Sequence, residues 1–156
     1  MEDQEIIETV KGELAAYLSE RKLRKTPERF AILEQIYMLN DHFDVDTLYE
    51  LMLNSGYRVS RATVYNTVDL LVECRLIVRH QFGTNMAHYE KAYNCGSHHH
   101  LICTVCNTVQ EVQDDELHNI IQGKKYNKFN LTNYNLYMYG LCQKCTLASR
   151  KKPIHK

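Results

Sequence analysis

Apolar positions first recur at helical spacing. Ile6, Ile7, Val10, Leu14, Tyr17 and Leu18 put one stripe on residues 5–20. A basic stretch from Arg21 to Lys25 interrupts it. Thr26-Pro27-Glu28 then carries three helix-start signals: a Thr N-cap, Pro at the first helical position and an acid in the first turn. Phe30, Leu33, Ile36 and Tyr37 give this second helix its inner face. Asp44 is placed to cap a third, with Val45, Leu48, Tyr49 and Met52 inward and Gly56 closing it. Ser60 is placed to cap a fourth, with Val64, Val68, Leu71 and Val72 inward. From Leu76 to Phe82 the residues turn β-type, Gly83-Thr84-Asn85 reads as a turn, and Met86 to Tyr89 can return as the second strand of a hairpin.

Short helices closed by a hairpin describe a winged helix-turn-helix, with residues 60–74 as the helix that enters a DNA groove. Its polar face carries Arg61, Ala62, Tyr65, Asn66 and Asp69. Arg and Asn suit base edges, and Tyr can reach phosphate or pack on a thymine methyl. An ordinary solvated helix face has the same composition, but the upstream Arg21–Arg29 cluster and the following hairpin favour DNA. After a linker the pattern changes. His99 to Cys103 and Thr108 to Val112 read as short strands, Asp114 as the cap of a helix ending near Gly123, and Phe129 to Tyr139 as a long alternating strand. So small a sheet with one helix buries little by itself, which predicts pairing with a second copy. The predicted fold class is α+β: a winged helix over residues 1–90, a linker at 91–97, a small α/β dimerisation and metal-binding domain at 98–150, and a basic tail at 151–156.

Composition changes this picture little. The 156 residues are 44% hydrophobic and 24% charged, with two prolines and six glycines, which excludes a long disordered or repetitive chain. No apolar run approaches the ~18 residues of a membrane span. The start, Met1-Glu2-Asp3-Gln4-Glu5, is acidic where a signal peptide is basic, so a cytoplasmic location is expected. Charge is more informative. Nineteen Lys and Arg balance nineteen Asp and Glu, which by itself argues against a general polyanion binder. Residues 1–85 hold 10 basic against 14 acidic side chains, the basic ones concentrated at Arg21–Arg29 with Arg58 and Arg61. That balance predicts weak intrinsic affinity for DNA, of a kind that waits for a cation.

Ligand-type residues crowd the second half. Cys103-Thr104-Val105-Cys106 and Cys142-Gln143-Lys144-Cys145 are two C-x-x-C pairs separated by 35 residues. Two such pairs complete the tetrahedral four-sulfur site that zinc favours. A thioredoxin-type redox pair would leave the second C-x-x-C unexplained. Cys74 stands alone at a helix end as a packed thiol, and Cys95 reads only as a loop residue. His98 and His100 are two apart, so on a strand both project from one face, and Glu90 and Glu111 can approach from neighbouring strands. Imidazoles with carboxylates form a harder site than four thiolates, suited to Fe(II), Mn(II), Zn(II) or Co(II) at regulatory affinity.

These residues also carry a family resemblance. Thr26-Pro27-Glu28-Arg29, the run from Ser60 to Thr67, the run from His98 to Cys106 and the run from Leu136 to Cys145 together resemble the ferric uptake regulator family over about residues 10–146. The resemblance implies a homodimeric, metal-dependent transcriptional regulator that binds a double-stranded DNA operator. It implies no membrane and no small-molecule substrate other than metal ions. Position by position, it implies structural Zn(II) on Cys103, Cys106, Cys142 and Cys145, and a sensory site of His42, Glu90, His98, His100 and Glu111. His42 enters only through the resemblance; by pattern it is a loop histidine before Asp44. Tyr65 matches the recognition-helix tyrosine, Asn66 stands where many relatives carry arginine, and Lys25 and Arg29 would reach DNA backbone or minor groove, with Arg61 beside them on the reading face.

Two departures bear on the reading. A further metal site of some relatives would fall on His99, His118 and Tyr134, and the tyrosine leaves it incomplete. Glu111 stands where the peroxide-sensing branch tends to have Asp, which leans the expectation toward an Fe(II)-loaded repressor of iron uptake. Peroxide-sensing and zinc- or manganese-sensing regulators of the same family are the alternatives. A zinc-dependent nucleic-acid enzyme would need an open zinc position with H-E-x-x-H, or H-x-E with P-C-x-x-C; neither string occurs, so no catalytic residues and no enzyme are expected.

Overall fold

A computed structural model describes residues 2–82, 86–93 and 98–150; the expected turn at 83–85, positions 94–97 of the linker and the tail at 151–156 lie outside the described residues. Four helices come first: α1 (Glu2–Glu20), α2 (Pro27–Tyr37), α3 (Val45–Asn54) and α4 (Arg61–Glu73). Strands β1 (Ile77–Phe82) and β2 (Met86–Lys91) follow, then β3 (His99–Cys103), β4 (Val109–Val112), α5 (Asp115–Gly123), β5 (Tyr137–Gly140) and α6 (Gln143–Arg150). The chain is α+β. It divides into two compact units, one built from residues up to 81 with 86–93, the other containing 98–150.

In the first unit the apolar stripes meet as expected. Val10, Leu14 and Leu18 of α1, Ile32, Leu33 and Ile36 of α2, Leu48 and Met52 of α3, and Val64, Val68 and Leu71 of α4 form one buried cluster. Each such side chain contributes roughly 1.5–3 kcal/mol on burial. Two of the anticipated caps close: Asp44 accepts from Thr47 N–H at 2.7 Å, and Ser60 Oγ accepts from Thr63 N–H at 3.0 Å. Thr26 holds the N-cap position of α2 without a side-chain capping bond. At the C-terminal ends of α1, α3 and α4 the chain turns left-handed. Lys22, Gly56 and Arg75 have φ of 55°, 79° and 62°, and the next residue in each case donates back into the helix, as Leu76 N–H does to Leu71 C=O at 2.9 Å. Only glycine takes that conformation without steric cost, and only Gly56 was legible as a stop.

β1 and β2 pair as a two-stranded sheet, which with α3 and α4 completes the winged helix-turn-helix. The loop before α3 is tied to β2 by an antiparallel bridge. Phe43 N–H donates to Tyr89 C=O at 3.0 Å, Tyr89 N–H returns to Phe43 C=O at 2.8 Å, and the two rings stack at 5.7 Å.

The second unit is a three-stranded sheet in the order β4-β3-β5. β3 runs antiparallel to β4 and parallel to β5. The long strand expected from Phe129 to Tyr139 is corrected: only Tyr137–Gly140 is strand. Alternation over 129–136 marks side-chain polarity, but a strand also needs a ladder partner, and β3 is five residues long, pairing with four of β5. Helix α6 was not anticipated; its eight residues carry no sustained apolar stripe.

Candidate metal centres and nucleic-acid interface

Parallel pairing explains how two C-x-x-C turns 35 residues apart meet. Cys103 lies opposite Gly140 in the β3–β5 register, so both strands end on the same side of the sheet. The chain after β3 turns through Asn107, at φ 58°, with Asn107 N–H on Cys103 C=O at 2.9 Å. Thr104 N–H reaches Gly140 C=O at 2.9 Å and fastens that turn to β5. After β5 the chain enters α6, whose first turn aims Cys145 N–H at Cys142 Sγ, 3.5 Å away. All four sulfurs lie within 4.8 Å of one another.

The sulfurs differ in how readily they ionise. Backbone N–H groups of Cys106, Cys142 and Val105 pull the Cys103 thiol down to about 6. The Thr108 side chain, 3.0 Å from Cys106 Sγ, lowers Cys106 as well. Cys145, beside Cys142 and partly desolvated, is pushed up to about 12. Negative charges this close repel, which helps keep the proton on Cys145. A soft-ligand, four-coordinate, closed zinc-like site fits this donor set.

In the first unit, the Phe43–Tyr89 bridge sets the neighbouring residues His42 and Glu90 side by side. His42 Nε2 is 3.0 Å from Glu90 Oε2, and both side chains are largely buried. A third group joins them. His80 of β1 is fully buried, with Nε2 at 2.5 Å from Glu90 Oε1, and its ring meets that of His42 edge-on at 5.6 Å. Burial pushes the Glu90 carboxyl up, but hydrogen bonds from His42 and His80 outweigh it and hold the group well below the usual carboxylate range. Sequence reading missed His80 because Arg79-His80-Gln81 is uniformly polar and shows no inward face. The one available signal was period two from Val78.

In the second unit, His100 of β3 faces Glu111 of β4 in the antiparallel register. The rings of His98 and His100 lie edge-to-face at 4.8 Å, and His98 Nε2 is 3.9 Å from Glu111 Oε1. Each of the three offers a ligand atom within 4.8 Å of the others. His99 points to the opposite side, buried, its ring 6.1 Å from that of Tyr134; among the described residues neither of its nitrogens has a hydrogen-bond partner. Tyr134 in turn is 2.9 Å from His118 Nδ1 through its hydroxyl.

On α4, Arg61, Ala62, Tyr65, Asn66 and Asp69 are all exposed, Tyr65 by 45%. Arg61 is engaged within the unit: it pairs with Asp46 in the first turn of α3, and its guanidinium sits 4.6 Å above the Tyr49 ring. Lys25 is exposed, and Arg29 donates to Arg24 C=O at 2.6 Å. Arg29, Arg58, Ser60, Thr63 and Asn66 border a cleft of about 340 Å³ where α2 and α4 begin. The cleft also holds Glu28, so two cations and two helix starts act on phosphate there against one carboxylate.

Known proteins resemble this chain in sequence and fold. The sequence pattern of the ferric uptake regulator family matches residues 20–139. The chain is 30% identical over 125 residues to the ferric uptake regulation protein of Bacillus subtilis (strain 168), covering 77% of this chain and 83% of that one. It is 26% identical over 143 residues to the peroxide-responsive repressor PerR of Staphylococcus aureus (strain Mu50 / ATCC 700699), covering 89% and 95%. Among solved structures it is similar to the ferric uptake regulator from Pseudomonas aeruginosa with manganese, with a TM-score of 0.72, 27% identity, and 83% and 97% of the two chains covered.

Proposed function

Since the chain belongs to the ferric uptake regulator family, we propose that it is a repressor that binds palindromic operators as a homodimer when loaded with Fe(II), and so controls iron uptake. Membership makes it a metal-responsive DNA-binding transcription regulator and not an enzyme. A four-thiolate site, with no open position for substrate, agrees.

What supports the reading is that each unit by itself brings together nitrogen and oxygen donors assigned to the proposed sensory site. The DNA-binding unit offers His42 and Glu90, already 3.0 Å apart, and the sheet unit offers His98, His100 and Glu111. One divalent cation held by all five would supply a tie between the two units. His42 and Glu90 then hold the winged helix at an angle that lets the two recognition helices of a dimer reach successive major grooves. Their donors are hard or borderline and include no thiolate, which favours Fe(II) or Mn(II) over softer ions. Glu111, a glutamate and not an aspartate, supports iron sensing over peroxide sensing. The similarity to a peroxide-responsive repressor keeps the second reading in view.

DNA binding decides between them. A panel of palindromic sites is titrated at fixed salt with Fe(II), Mn(II) and Zn(II), because phosphate contacts make affinity salt-dependent. Fe(II) should tighten binding, and His42→Ala should lose that response while remaining folded; an undiminished response at saturating Fe(II) would remove His42 from the site. For the peroxide reading, mass spectrometry after Fe(II) and H2O2 should find oxidised His42, His98 or His100.

A further inference from the structure

The geometry around Glu90 points to His80 as a positioning residue of the sensory site: it holds one carboxylate oxygen so that Glu90 meets the cation through the other. The proposal rests on the reading of His42 and Glu90 as sensory ligands and adds a residue which that reading leaves out.

Each histidine takes its own oxygen. His80 Nε2 lies 2.5 Å from Oε1, and His42 Nε2 lies 3.0 Å from Oε2. A carboxylate only accepts, so His80 presents Nε2–H to it. The two histidines come from different places, His80 from the middle of β1 and His42 from the loop bridged to β2. The carboxylate is therefore gripped from two sides. The His80 side is the fixed one, since that ring is 0% exposed while His42 keeps 14% of its side-chain surface. Glu90 has three rotatable side-chain bonds, and without Oε1 held its carboxylate would be free to turn away from His42 or to present both oxygens at once. Hydrogen-bonded outer partners of metal-binding carboxylates and imidazoles do this orienting in general, and losing one typically weakens metal binding by about 10- to 100-fold. His80 Nε2–H also withdraws charge from Oε1, which leaves Oε2, beside His42, as the oxygen available to a cation.

The test uses the full-length chain with its four-cysteine site filled by zinc, and Co(II) as the probe, titrated in competition with a chromophoric chelator. His42→Ala should lose most Co(II) affinity at the sensory site. His80→Phe, which keeps a buried ring but no N–H, should bind Co(II) about 10- to 100-fold more weakly and shift the visible Co(II) bands as Glu90 changes its mode of binding. His80→Gln restores a side-chain N–H donor and should recover most of the affinity and the wild-type bands, which a purely space-filling role would not predict. Wild-type affinity in His42→Ala would defeat the ligand reading itself. Lost affinity in His42→Ala with wild-type affinity and bands in His80→Phe would overturn the positioning role alone. Nitrogen-15 NMR of the histidine rings in the Zn(II)-saturated wild-type protein supplies a measurement that no variant's folding can spoil. A proton retained on His80 Nε2 supports the proposal, whereas a metal-bound, proton-free Nε2 makes His80 a ligand and overturns it.

Discussion

At Cys103 a single sulfur joins folding to metal chemistry. It is 3% exposed, lies at the end of the central strand β3, and is surrounded by N–H groups that already favour its thiolate. Serine fills the same space but offers a hard, neutral oxygen that a zinc-type site does not accept in place of a thiolate. Structural zinc contributes about 10–16 kcal/mol of apparent binding energy in small domains, far more than this unit's few buried side chains can replace. Cys103→Ser should therefore lower the zinc content of the purified protein and abolish the thermal transition of the second unit, leaving the helical unit folded. A melt and a metal content equal to wild type would contradict the structural role. Cys74 behaves differently: half-buried at the C-cap of α4, its thiol is pushed up by desolvation and takes no part in the cluster.

Among the elements, the helix-turn-helix depends on local chemistry at two turns. Asp44 closes the start of α3 through both carboxylate oxygens, with Thr47 N–H at 2.7 Å and Thr47 Oγ1 at 3.0 Å. Asp44→Ala should cost about 1 kcal/mol, the usual loss for an N-cap, and lower the unfolding midpoint of the first unit by several degrees. Circular dichroism melts would measure it, and no shift would mean that backbone bonds alone define the helix start. Arg61, expected to contact DNA, also packs between elements. A basic residue at the start of a recognition helix looks available to DNA, yet here its charge meets Asp46 and its plane covers Tyr49. That clasp joins α3 to α4 at the turn between them. Tyr65 and Asn66, one turn further along α4, are exposed and are the residues proposed to read DNA.

For the whole molecule, the two units differ in how completely they bury themselves. The helical unit owns the large apolar cluster. In the sheet unit, Ile102 and Cys103 are the buried apolar residues among those described, while Ile120, Tyr126, Phe129, Tyr139, Leu141 and Leu147 are exposed. β5 lies at one end of the sheet among the described strands, in the order β4-β3-β5. A second copy laid against this edge would bury that surface, as a homodimer requires. Tyr139, 58% exposed on β5, is the position to probe. Tyr139→Asp should shift the protein from dimer to monomer in sedimentation, since an interface core does not tolerate an unpaired charge, while zinc content stays at the wild-type level. An unchanged dimer would place the interface elsewhere.

What the sequence determined by itself was whatever local spacing encodes. Helical stripes placed α1 to α4 within a few residues, the cap residues Asp44 and Ser60 announced helix starts, and two C-x-x-C pairs announced a four-sulfur site, because those patterns depend on residues near in the chain. The period of two placed His98, just before β3, on the same face as His100 for the same reason. Tertiary structure decided the rest. Only the parallel β3–β5 ladder shows why the cysteine pairs converge, and only its length limits β5 to four residues. His42 carries no local signal of the role proposed for it; it stands beside Glu90 because Phe43 bridges to Tyr89, 46 residues away in the chain. His80 lies within a polar run whose inward member cannot be identified until the strand is packed, and there it faces Glu90. Spacing along the chain specifies faces and turns, but which faces meet depends on contacts between segments far apart in sequence, and the ligand geometry follows from those contacts.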